Sequence, residues 1–154
     1  MGRAQGSVAI VTGGRKGLGL ASAVLLAKQG AKVVITDRKA DGAEDALEAI
    51  KKGGGEAIFI QQDVSKEEDW QRMMEEAVGR FGKLDVLVNN AGVGAGKNIE
   101  DITLEDWRWV MSVNLDGVFL GTKYAIKEMK KNGGGSIINM SSTAALVGLP
   151  GLSR

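Results

Sequence analysis

The apolar run Val8-Ala9-Ile10-Val11 stops at Thr12, glycines follow at the spacing Gly13-x3-Gly17-x-Gly19, and a helical pattern then begins. Strand, glycine loop and helix in that order constrain this chain more than any other feature. A loop without Cβ atoms lets bare backbone approach a diphosphate. The helix behind it aims free N–H groups and the positive end of its dipole at the anion. The bland alternative is a tight turn between a strand and a helix. The helix is expected over Gly17 to Gln29, with Leu18, Ala21, Leu25 and Leu26 on one face and Gly30 as its stop.

The rest of the chain repeats the alternation. Lys32 to Thr36 reads as a second buried strand ending at Asp37, and Ala40 to Lys52 as a helix with Ala43, Ala46, Leu47 and Ile50 on one face. Glu56 to Gln61 is a third strand, followed by Asp63-Val64. Ser65-Lys66-Glu67-Glu68 reads as a capping box for a helix that reaches Phe81 and stops at Gly82. Leu84 to Val88 is a fourth strand running into Asn89-Asn90-Ala91-Gly92, and a loop covers Val93 to Ile102. Thr103 with Asp106 looks like another cap, opening a long helix bent near Asn114 that ends around Lys131. Ser136 to Met140 is a fifth strand, and Thr143 to Arg154 reads as loop.

Alternating strands and helices give βαβ units with right-handed crossovers. The expected fold is therefore α/β, a doubly wound, Rossmann-like parallel sheet of five strands in the order 3-2-1-4-5, with residues 1–154 forming one dinucleotide-binding domain. Ligands of such sheets lie outside the carboxyl ends of the strands. Thr12, Asp37, Asp63, Asn89, Asn90, Ser141 and Ser142 all fall there.

Composition narrows the chemistry. The 154 residues contain no Cys and no His. Disulfides, thiol nucleophiles, Ser-His-Asp catalysis and imidazole metal sites are thereby excluded, and no metal is expected. Net charge is +1 from 20 basic and 19 acidic residues, without a basic stripe, so nucleic acid is not an expected partner. No apolar stretch could span a bilayer and no signal peptide is visible, so the expectation is a cytoplasmic protein away from membranes.

Each strand-end residue has a functional and a plain reading. Asp37 lies near the offset at which a carboxylate accepts from a ribose 2′-OH and repels a 2′-phosphate, which favours NAD; the plain reading is a solvated turn Asp. Arg15, Lys16 and Arg38 point toward NADP instead, or toward the diphosphate, or to solvent. Asp63 suits an adenine amino group with Val64 packed on the ring, or simply precedes a helix. Asn89 and Asn90 either tie strands together or bound the cofactor cavity. Asn114 bends its helix or binds a water. Ser142, with no His to activate it, suits a hydrogen bond to a carbonyl better than nucleophilic attack. Trp70, Trp107 and Trp109 read as packing or interface anchors, with Ala77, Val78, Val118, Phe119, Leu120 and Ala125 as core or subunit contact.

Thr12-Gly13-x3-Gly17-Leu18-Gly19, Asp63-Val64, Asn89-Asn90-Ala91-Gly92, Val113-Asn114 and Asn139-Met140-Ser141-Ser142 together resemble the short-chain dehydrogenase/reductase family, over essentially the whole chain. Ile138 to Ser142 and Leu146 to Ser153 look like its bacterial secondary-alcohol, 3-oxoacyl-carrier and hydroxysteroid dehydrogenases. The resemblance implies an NAD(P)-dependent alcohol/ketone oxidoreductase. The candidate cofactor contacts are Gly13, Arg15, Lys16, Gly17, Leu18, Gly19, Asp37, Arg38, Asp63, Val64, Asn90, Ala91 and Gly92. The resemblance also implies that Asn114 holds a water in the proton relay and that Ser142 hydrogen-bonds the substrate oxygen.

The family's general acid/base is a Tyr in a Tyr-x-x-x-Lys motif, and here it would fall immediately beyond Arg154. The single tyrosine, Tyr124, has the wrong spacing. The expectation is a chain that corresponds to the N-terminal portion of such an enzyme, truncated before its acid/base pair. It binds NAD, with NADP possible, and is inactive alone. It is also expected to self-associate through the exposed sheet edge and last helix. Two alternatives stand beside this reading: an enzyme whose missing groups come from another chain or the substrate, and an engineered or truncated minimal fold with an assembly role and no activity.

Overall fold

The computed structural model describes residues 2–147; residues 148–154, on which part of the expected C-terminal loop falls, lie outside the described residues. Five strands, β1 (Val8–Thr12), β2 (Lys32–Asp37), β3 (Glu56–Gln61), β4 (Val86–Asn89) and β5 (Ser136–Asn139), form one sheet in the order β3-β2-β1-β4-β5. All pairings are parallel, with Val8 beside Lys32 and Thr12 beside Thr36 across β1–β2, and Asn89 beside Asn139 across β4–β5. This is the doubly wound order expected from the alternation.

Both faces of the central strand are covered, which is why β1 reads as an unbroken apolar run. Ile10 turns into a core with Val34, Ile60, Leu87 and the helices α3 (Glu67–Phe81) and α5 (Gly117–Met129). Ala9 and Val11 turn the other way, into a core with Val33, Ile35 and the helices α1 (Gly17–Lys28) and α2 (Ala43–Lys52). Trp70 is fully buried in the first core, and its indole N–H donates to Val64 O at 2.8 Å. Removing that ring from water contributes about 4–6 kcal/mol at about 25 cal/mol per Å².

Several local expectations are corrected. The buried face of α1 is Gly19, Ala23 and Ala27, whereas Leu18 is 71% and Leu25 60% exposed. Small residues win because the helix packs close to the sheet: a Cβ on Gly19 would run into Gly13 O and the Asn90 amide. Ser65 does not cap α3. The helix starts at Glu67 with Lys66 at the cap, and the Ser65 hydroxyl and N–H both turn back to Asp63 Oδ1, at 2.7 and 3.1 Å. β4 begins at Val86 rather than Leu84, since Asp85 is held at the strand entrance by Val8 N–H at 2.8 Å.

The long helix is three pieces: α4 (Leu104–Met111), a π-helical turn over Ser112–Asp116 and α5. The bend expected at Asn114 is thus a widened turn, a local form frequent at functional sites. The Thr103 cap is present as a reciprocal capping box with Asp106. Lys97 and the Thr103 N–H and hydroxyl hold the Asp106 carboxyl down at about 2. Leu120 and Ala125 are core, while Phe119 is 64% exposed. Among the described residues no helix is long and apolar enough to cross a membrane.

Candidate functional site

A cavity of about 290 Å³ opens at the carboxyl ends of β1, β2 and β3, lined by Gly13, Arg15 and Lys16 from the glycine loop, Thr36 to Lys39, Gln62 to Val64, Ala91 to Val93, and Val113. Most residues singled out from the sequence therefore converge on one place. Gly17, Leu18 and Gly19 adjoin it as the first turn of α1, and Asn90 lies beneath it as a tie.

That first turn is unlike those of α2, α3 and α4. α2 carries Glu44 and Asp45 there, α3 carries Glu67, Glu68 and Asp69, and α4 carries Glu105 and Asp106. α1 has no acidic residue in its first turn, and Lys16 at its cap makes no side-chain hydrogen bond to it. The first N–H groups of a helix have no intrahelical acceptor, so this end keeps its donors and its partial positive charge for an external anion. Gly13 (φ 63°) and Gly17 (φ 58°) adopt left-handed backbone, which residues with a Cβ rarely take.

The loop is fixed from behind. The buried Thr12 hydroxyl accepts from Asn90 N–H and Ala91 N–H, both at 3.0 Å, and Asn90 Nδ2 donates to Thr12 O at 2.8 Å and Gly13 O at 3.2 Å. Asn89 Nδ2 donates to Asn139 Oδ1 at 2.9 Å, joining β4 to β5. The two adjacent asparagines are strand ties, and the second also braces the glycine loop.

Asp37 ends β2 with its carboxylate 17% exposed; Oδ1 accepts from Lys39 N–H at 3.1 Å, and Oδ2 is 3.6 Å from Arg15 Nε. Arg15 is anchored by Nη1 donating to Asp41 O at 2.7 Å. Arg38 O accepts from Gln61 Nε2 at 3.0 Å, which fixes the turn after β2. This corner has a carboxylate that can take hydroxyl donors and a guanidinium that can take an anion.

Across the cavity, Asp63 N–H donates to Asp69 Oδ2 at 2.7 Å, and Ser65 occupies Asp63 Oδ1. Burial pushes the Asp69 carboxyl up, but the Asp63 N–H and Arg72 outweigh it and leave it below the usual carboxylate range. Asp63 keeps Oδ2 available beside Val64.

Asn114 and Ser142 are not part of the cavity wall. Asn114 clamps the loop after Gly92: Oδ1 accepts from Val93 N–H at 2.9 Å, and Nδ2 donates to Val93 O at 2.8 Å. One lone pair and one amide hydrogen remain for a water. Ser142 is exposed, and its hydroxyl accepts from Ala144 N–H at 3.2 Å at the start of a short 3₁₀ turn. Tyr124 lies on α5 away from the cavity. Its hydroxyl donates to Glu67 at 2.9 Å and accepts from Gln71 at 2.8 Å.

Thr36, Gln62 and Asp41 were not singled out from the sequence. A signal existed for Gln62: strand alternation puts it on the inward side of β3 with Ile58 and Ile60, where a polar residue is out of place.

A family model described as short chain dehydrogenase matches residues 7–154. The chain is 50% identical over 152 residues to an NADP-dependent (R)-specific alcohol dehydrogenase of Lentilactobacillus kefiri, covering 97% of this chain and 60% of that protein. It is 39% identical over 151 residues to a cyclopentanol dehydrogenase of Comamonas testosteroni, covering 98% and 60%. Among solved structures, levodione reductase superposes with a TM-score of 0.92 at 34% identity, covering 97% of this chain and 59% of that one. An NAD+-bound xylitol dehydrogenase gives a TM-score of 0.92 at 32% identity, covering 98% and 58%. The chain thus spans about 60% of the length of the curated relatives it matches.

Proposed function

Since the chain belongs to the short-chain dehydrogenase/reductase family, we propose that it is the NAD(P)-binding portion of an oxidoreductase acting on secondary alcohols or ketones. The observation that carries this reading is the cavity itself, with the uncapped N-terminus of α1 on one side and Asp37 on the other. A bound nicotinamide supplies the hydride chemistry. The residues of this chain hold the rest of that molecule: the α1 first turn takes the diphosphate, Asp37 takes the adenosine ribose, and Asp63 and Val64 take the base. Ser142 is assigned to the substrate oxygen and Asn114 to a relay water.

The balance of Asp37 against Arg15 favours NAD, with NADP admitted because the guanidinium already faces the same corner. The 154 residues hold no Tyr-x-x-x-Lys sequence, and Tyr124 is committed elsewhere. General acid/base catalysis is worth about 10²–10⁴-fold, so this stretch alone is expected to bind cofactor without turnover. Trp107, Leu115, Phe119 and Ile126 on the α4–α5 side, and Ile138 on β5, are between 41% and 64% exposed. That apolar surface supports self-association. The reading includes a cytoplasmic setting and a single dinucleotide-binding unit.

Fluorescence titration with NADH and NADPH tests the binding claim, and absence of saturable binding of either nucleotide overturns it. Ketone-dependent NADH oxidation by the isolated chain would overturn the claim of inactivity. Light scattering that gives a monomer at all concentrations would overturn self-association.

A further inference from the structure

The chain holds a single Asn-Gly pair, Asn132-Gly133, just past the end of α5 and followed by Gly134 and Gly135. Asparagine ahead of glycine has a chemistry of its own. The backbone nitrogen of the next residue can attack the side-chain amide carbon, and a glycine puts no Cβ in the way. Asn132 closes a short 3₁₀ turn (Lys130–Asn132), and both it and Gly133 are exposed. Water therefore reaches the amide and the attacking nitrogen.

The bonds that hold this pair in place are weak. Gly133 N–H reaches Lys130 O at 3.4 Å, and Asn132 Nδ2 reaches Leu84 O at 3.4 Å. Both lie beyond the usual range for an N–H donor. Gly133 adopts left-handed backbone at φ 86°, so the helical run has already ended there. The other asparagines are better protected. Asn89 and Asn139 are bonded to each other, Asn90 Nδ2 donates to Thr12 O and Gly13 O, and Asn114 uses both ends of its amide on Val93. Asn98 is exposed, but the β-branched Ile99 follows it and crowds the attacking nitrogen.

From this we propose that Asn132 is a site of spontaneous covalent modification, converted to aspartate and isoaspartate with water as the co-reactant. Gly133 N gives its proton to solvent and bonds to Asn132 Cγ. The Cγ–Nδ2 bond breaks, and the side-chain nitrogen leaves as ammonia. Water then adds to one or the other carbonyl of the cyclic imide and opens the ring. Amide and water become carboxyl and ammonia, and nothing is oxidised or reduced. The net charge falls from +1 to zero at pH 7.

The product acts on the entrance of the sheet. A carboxylate cannot donate to Leu84 O, and a negative charge past the C-terminal end of α5 opposes the helix dipole. Isoaspartate also lengthens the backbone just ahead of two bonds: Gly134 N–H donates to Met129 O at 2.9 Å, and Ser136 N–H, opening β5, donates to Asp85 O at 2.8 Å. Ser136 and Asp85 lie at the amino ends of β5 and β4, whereas the cavity opens at carboxyl ends.

The test is a time course on the wild-type chain held warm in mildly alkaline buffer, read by ion exchange and by peptide mapping with mass detection and isoaspartate labelling. The expected result is an acidic form in which Asn132 is converted ahead of every other asparagine. Retention of the Asn132 amide, or earlier conversion of another asparagine, overturns the proposal. The separated acidic form should exchange the Ser136 and Ile137 amide hydrogens faster than fresh protein, and equal exchange overturns the claim that the product loosens β5. Asn132→Gln, whose longer side chain closes an imide ring far more slowly, should lose the acidic form. Acidification of that variant at the wild-type rate overturns the assignment to Asn132.

Discussion

Replacing Asp37 by Ala tests the cofactor corner most directly. The carboxylate is 17% exposed, and Arg15 Nε is 3.6 Å from Oδ2. Unit charges about 4–5 Å apart interact by about 3–4 kcal/mol at an effective dielectric constant of about 20, and a 2′-phosphate beside the carboxylate would be repelled on that scale. The phosphate carries about −1.5 to −2 charges. Arg15, Lys16, Arg38 and Lys39 line the same cavity and offset most of the repulsion, leaving a net penalty of about 1–2 kcal/mol. With NADH the carboxylate instead accepts from ribose hydroxyls, charge-assisted bonds worth about 1.5–3 kcal/mol. Asp37→Ala removes both effects and releases Arg15 toward the phosphate. The ratio of the NADPH and NADH dissociation constants is expected to move toward NADPH by about 3 kcal/mol, about a hundredfold. Nucleotide fluorescence titrations of both ligands on both proteins measure that ratio. A change below about threefold, or an equal loss of both affinities, refutes the placement of Asp37 at the 2′ position.

Gly19→Ala forces a Cβ against Gly13 O and the Asn90 amide; urea unfolding should show a loss of about 1–3 kcal/mol, with nucleotide binding lost alongside. Thr12→Val removes the acceptor for two part-buried N–H groups, and the same assay should record a loss of about 1–3 kcal/mol. The Asp69 carboxyl sits below its ordinary 3.8 in the folded chain. It therefore contributes stability above that value and loses it as pH falls through the folded one. NADH affinity should fall below about pH 4 as the Asp63–Val64 turn is released, and an Asp69→Asn variant already weak at neutral pH should show less of that fall. Asp106 should titrate at about 2 by carbon-detected NMR, and its capping box should persist to that pH.

The strand order was legible because its signals are local and repeated: continuous apolar runs for strands buried on both faces, and glycine or turn residues between them. What sequence reasoning missed depends on which of two local solutions tertiary packing selects. Leu18 and Leu25 look like a buried stripe, yet α1 buries its glycine and alanines because only they allow the glycine loop, Asn90 and the helix to meet. Ser65 has the spacing of a cap, yet Asp63 competes for its hydroxyl at shorter range. Many of the residues that line the cavity could be read from their positions at strand ends. The clamp of Asn114 on Val93 could not, because it joins residues on separate elements and has no periodic signature.

The residues that give the site its motif are also those that hold the sheet together. Thr12 and Asn90 connect the glycine loop to the end of β4, Asn89 connects β4 to β5, and Asn114 connects the loop after Gly92 to the π turn. A nucleotide placed on the first turn of α1 would therefore bear on β1, β4 and the helix junction together. Any ligand that binds only the folded chain stabilises it by RT ln(1 + [L]/Kd), about 2.7 kcal/mol at a hundredfold excess over Kd. Substitutions at Thr12 and Asn90 should lower both stability and nucleotide affinity, since each holds the glycine loop in place. Substitutions at Asp37 should move affinity with little loss of stability, since the hydrogen bond its carboxylate accepts among the described residues comes from Lys39 N–H, two residues on. That division separates the part of the motif that builds the fold from the part that chooses the ligand.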